Sequence, residues 1–182
     1  SLDASFEVAV PLDTALAVRA LVAAGGLDVE GVVLAHGRLA ALQNADGGFA
    51  VAAGEDSDLV STAEAVDALV DLAGLTDVSA ELDAAAAFLS EAQGADGGFP
   101  VFAGGPSDLT TTLLSLRALR HTGTLPPPSD LAAQAYVVAG QEVDGSFAAD
   151  PYATALAIQM LGGARPNLAL ASVLLSSASV TR

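Results

Sequence analysis

The 182 residues carry a formal net charge of −16, with 22 acids against six basic residues, all arginine, and there is neither lysine nor cysteine. That balance argues against nucleic acid and anionic lipid as partners, which need clustered basic residues, and the missing cysteine excludes disulfides, thiolate metal sites and cysteine nucleophiles. The chain is 52% hydrophobic but only 4% aromatic, and no apolar run reaches the ~18 residues that span a bilayer, so its alanine and leucine predict closely packed helices.

In chain order, Asp3 and Phe6 of the opening DASF precede a first predicted helix over 11–24, which contains Thr14 and stops at Gly25-Gly26. A second helix over 29–43 runs into QNADGGF at 43–49. Ser57-Asp58 supply side-chain oxygens for the start of a third helix over 58–73, in which Leu59, Ala63, Val66 and Val70 recur with the helical period. Gly74 ends it, and a fourth helix over 79–93 carries the series Leu82, Ala85, Phe88, Leu89 and Ala92 into QGADGGF at 93–99. Ser107-Asp108 open a fifth helix over 108–122, stopped by Gly123. Pro126-Pro127-Pro128 read as a rigid connector before Ser129-Asp130 and a sixth helix over 129–141, which leads into QEVDGSF at 141–147. A seventh helix over 151–162 and an eighth over 166–179 complete four helical hairpins.

Two series therefore keep step. The glutamine motifs are 50 and 48 residues apart, Thr14, Thr62, Thr112 and Thr154 hold equivalent places in their helices, and Thr14, Thr62 and Thr112 each precede the next motif by a near-constant interval. The expected organisation is one domain over 1–182, with repeat units of approximately 7–49, 50–99, 100–147 and 148–182. Within each motif the residue types have structural work to do. Gln43, Gln93 and Gln141 can bond backbone groups at a helix end, and Asp46, Asp96 and Asp144 can satisfy loop N–H groups. Phe49, Phe99 and Phe147 can close the loop by burying apolar area, so these residues are read as joints between repeats.

FLSEAQGADGGF at 88–99 and YVVAGQEVDGSF at 136–147 resemble the glutamine-and-aromatic repeat of squalene cyclases and protein prenyltransferase β-subunits, a repeat found also in complement-type thioester domains. RLAALQNADGGF at 38–49 departs from it in having arginine at the leading aromatic place. The resemblance implies an all-α, α/α toroid-like stack, with the threonine-bearing helices inside and the glutamine-terminated ones outside. It also implies a cyclase acid in a DxDDTA string, whose proton donor aligns with Val60, Thr110 and Tyr152 here. Zinc of the prenyltransferase kind would need a cysteine with aspartate and histidine, whereas this chain offers only His36 and His121, in different positions of the hairpins. Calcium at Asp46 with Glu55, Asp56 and Asp58 lacks the EF-hand spacing and is read as a solvated acidic loop.

No catalytic residue, metal site or cofactor is therefore assigned. Asp58, Asp108, Asp150 and Tyr152 mark the one candidate ligand site, at the mouth of the inner helices. The expected function is a non-catalytic binding or scaffold module of an exported bacterial protein, extracellular or at the cell surface. Its expected contacts are a protein partner, self-association or the remainder of a larger chain, or a small apolar ligand. Two alternatives stay open: an enzyme whose active residues lie outside this chain, and a corrinoid carrier of the transcobalamin type. DASF reads as the tail of a further motif, so the stack is expected to be part of a ring, an open or partial toroid whose terminal hairpins present apolar faces.

Overall fold

A computed structural model describes residues 11–162. Within them lie seven helices: α1 (Pro11–Ala23), α2 (Val29–Leu42), α3 (Leu59–Ala73), α4 (Ser79–Glu91), α5 (Leu109–Thr122), α6 (Pro127–Ala139) and α7 (Pro151–Met160). The predicted eighth helix and the opening DASF lie outside the described residues. The helices form two layers. In the inner row α1 packs on α3, α3 on α5 and α5 on α7, while α2, α4 and α6 cover that row from outside. The sequence explains the division. Outer helices bury one stripe each, such as Val32, Ala35 and Leu39 of α2, whereas α3 and α5 have neighbours on both sides and are buried along most of their length. Ala63, Ala65, Ala68 and Ala118 are fully buried there, and their small side chains let the inner helices approach one another.

One helix start differs from the sequence reading. Ser129-Asp130 do not open α6; Pro126 takes the N-cap place, and Pro127 and Pro128 form the first turn. The prolines are helix, not connector, because proline φ suits a helical first turn and its missing N–H would have had no intrahelical acceptor there. Nor do Ser57 and Ser107 cap the helices that follow them. Their hydroxyls donate backwards to Asp46 and Asp96, leaving the caps to Asp58 and Asp108.

Between motif and inner helix the chain makes a short antiparallel excursion that no alternating pattern announced. Phe49 pairs with Asp58, and in the next unit β1 (Phe99–Pro100) pairs with β2 (Ser107–Asp108), Phe99 opposite Asp108. We call the stretches 49–58 and 99–108 rim loops. They are stitched together, since Leu59 N–H donates to the Val101 carbonyl at 2.9 Å. The third connection, from Phe147 to Asp150, is too short for such a loop and turns through Ala148 and Ala149 at φ 54° and 50°, a left-handed region that non-glycine residues adopt only under strain.

Candidate functional site

The joints are built alike. Gln43 Nε2 donates to the Gly47 carbonyl of its own loop at 2.8 Å and to the Glu81 carbonyl of the next outer helix at 2.9 Å. Gln93 Nε2 does the same to Gly97 and Ser129, both at 2.9 Å, and Gln141 Nε2 donates to Gly145 at 3.1 Å. Asp46, Asp96 and Asp144 each use Oδ1 to accept the N–H two residues on, from Gly48, Gly98 and Ser146. The Ser146 N–H and hydroxyl together hold the Asp144 carboxyl below the usual carboxylate range. Phe49, Phe99 and Phe147 are buried at 0%, 0% and 1% exposure.

Sequence reasoning missed why threonine recurs. Thr62, Thr112 and Thr154 each accept the N–H of the motif phenylalanine at 2.8–3.0 Å, and each donates its hydroxyl to the carbonyl of the aspartate four residues back. One hydroxyl thus satisfies the amide of the buried aromatic and ties the loop to the inner helix. The two series kept step because they touch.

Asp58, Asp108 and Asp150 do stand at one end of the inner row, as the N-caps of α3, α5 and α7. Their Oδ1 atoms accept the N–H groups of Ser61, Thr111 and Tyr152 at 2.8, 2.8 and 2.9 Å. Each oxygen so engaged serves a helix start. Asp58 is buried beneath the stitched rim loops and Asp108 is exposed, so the three carboxylates are not one open cluster. Tyr152 is half exposed, and it adds a small favourable influence on the charge of Arg117.

That arginine belongs to a polar array on the inner helices. Glu64 bridges two guanidiniums, accepting Arg19 Nη1 on Oε2 at 2.9 Å and Arg117 Nη2 on Oε1 at 2.8 Å. Asp67, 2% exposed, sets Oδ2 at 2.6 Å from Arg117 Nη2 and 3.5 Å from Arg19 Nη1, and its Oδ1 lies 2.8 Å from His121 Nδ1. Burial works against the Arg117 charge, but Asp67 and Glu64 outweigh it and hold the guanidinium above the ordinary arginine range. The array crosses α1, α3 and α5. His36, by contrast, pairs with Glu81 between outer helices at 3.1 Å. Repeat register contains the signal for the array: five residues after each threonine stand Arg19, Asp67, Arg117 and Gln159, alternating in charge across the first three inner helices.

Of all these features, His121 alone has the form of a chemical group held ready. Its ring is 48% exposed, and a buried carboxylate fixes Nδ1, so Nε2 is the nitrogen left to act. Among the described residues no cluster of histidines and acids has metal-holding geometry. A family model for the prenyltransferase alpha-alpha toroid domain matches residues 32–164. No curated protein matches the chain.

Proposed function

Because the chain belongs to the prenyltransferase alpha-alpha toroid family, we propose that it is a non-catalytic member, a binding or scaffold module rather than a cyclase or transferase. The observation that carries this reading is the use made of the three aspartates nearest the cyclase acid. Asp58, Asp108 and Asp150 cap helices, and the donor position itself holds Val60, Thr110 and Tyr152, none of which is a carboxylic acid. The inner helices are cross-tied by Glu64 and Asp67, an arrangement that holds a scaffold in one shape. Incubated with squalene or with a prenyl diphosphate, the purified chain should give no cyclised or transferred product. Turnover that disappears in Asp58→Asn would overturn the reading. The reading places the chain outside the cytoplasm or at the cell surface, which antibody labelling of intact cells would test.

One observation favours a second reading. An exposed imidazole oriented by a buried carboxylate is the usual arrangement of a general base, and His121 with Asp67 has that form. On this reading the chain lends a base to an enzyme whose other groups lie outside it. A pH–rate profile of such an enzyme that changes with His121→Gln would support it.

A further inference from the structure

The rim loops present a surface that nothing in the fold requires. Val51 and Val101 stand two residues after the buried phenylalanines Phe49 and Phe99, at equivalent places in the two loops, and both are exposed. Phe102, at 56% exposure, is the one phenylalanine in the open among the described residues, the others being buried or half-buried. The backbone beneath is fixed. Asn44 Nδ2 donates to the Glu55 carbonyl and to Ser57 Oγ, Ser57 and Ser107 donate to Asp46 and Asp96, and the Leu59–Val101 bond joins one loop to the other. A rigid loop that points an aromatic at water keeps its shape for a partner without ordering anything further on binding.

Charge identifies the partner. Glu55 and Asp56 are exposed in the first loop beside Val51, and between Arg38 and Arg117 the sequence has no basic residue. Arg19, Arg117 and Arg120 are tied to acids within the fold. Exposed apolar side chains on two joined loops, one of which carries two exposed acids on a chain of net charge −16, fit a cationic segment and repel a second copy of this chain. We propose that the rim loops, through Phe102, Val101 and Val51 with Glu55 and Asp56, dock a protein segment in which an aliphatic or aromatic anchor is flanked by arginine or lysine. This rests on the binding-module reading and names its partner.

The test selects a display library of random peptides on the immobilised wild-type chain, then measures the enriched peptides against variants. Enrichment of peptides that place Arg or Lys beside an apolar residue is expected. Their affinity should fall roughly tenfold or more for Phe102→Ser, fall again for the Glu55→Gln/Asp56→Asn pair, and weaken with added salt. Val143→Ser, which changes an exposed apolar residue in a different loop, should leave it unchanged. Helical circular dichroism of each variant establishes that it is folded. Peptides that bind Phe102→Ser as tightly as wild type, or no enrichment of the basic-apolar class, would overturn the rim proposal. The non-catalytic reading would still be judged separately, by the turnover assay.

Discussion

Thr112 shows how much a single side chain settles. Its Oγ1 accepts the Phe99 N–H at 2.8 Å and donates to the Asp108 carbonyl at 2.6 Å, in a place with no access to water. Valine would fit the volume but leave that N–H without an acceptor, and a buried amide stripped of its partner costs ~1–3 kcal/mol. Thr112→Val should therefore lower the urea midpoint by that much free energy, with Thr112→Ser recovering most of it. Equal stability of the valine and serine variants would mean the methyl packing, not the hydroxyl, is what matters. The motif residues were legible in the sequence because glutamine, aspartate, glycine and phenylalanine stand together within seven positions. The threonine was visible only as a recurrence. Its partner lies 13 residues away in two of the three joints and seven in the last, and only the folded loop shows that both separations serve one bond.

Helices α1 to α5 follow the apolar period of the sequence, and the differences sit at their edges, where local signals compete. At α6 the serine–aspartate pair looked like a cap, but the prolines before it suit a first turn better. The rim loops were not legible at all, since a two-residue strand has no alternation to read. Glycine separates the parts of these connections that bear on packing from those that bear only on backbone shape. Gly104, in a rim loop at φ 80°, has nothing within 4 Å of an added Cβ, so Gly104→Ala should lose only the ~1–2 kcal/mol of the left-handed conformation. Gly97, in the joint at φ 86°, would drive a Cβ into the Ala132 carbonyl oxygen of α6. Backbone cannot swing aside as a side chain can, so Gly97→Ala should lose clearly more, and thermal melts of the two variants measure the difference. Indistinguishable melts would mean that α6 does not press on the motif turn.

Across the whole molecule, charge is sorted into two populations, and the sequence disclosed only their sum. The apolar pattern predicts helices but does not predict that Glu64 and Asp67 are buried, because carboxylates inside are tolerated only when cations arrive from other helices. Arg19 and Arg117 both meet the pair, but Arg117 is the closer and the more buried, so Arg117→Met should cost on the order of 3–5 kcal/mol by leaving carboxylates buried without it. Arg38→Met, on the exposed side of α2, should stay within about 0.5 kcal/mol. The other population is the outward acids, which account for most of the net charge of −16 and repel one another in the folded state. Mobile ions screen exposed charges beyond roughly 8–10 Å but reach a buried pair far less. Added sodium chloride should therefore relieve the repulsion while leaving the Glu64–Arg117–Asp67 array intact, and the melting temperature should rise with salt. Arg117→Met should start lower and rise in parallel, because it removes the buried pairing and not the surface field. If salt instead lowers the wild-type melting temperature and the Arg117→Met variant shows no such fall, the array is open to solvent, and its ion pairs rather than the repulsion of the outward acids set the stability of the stack.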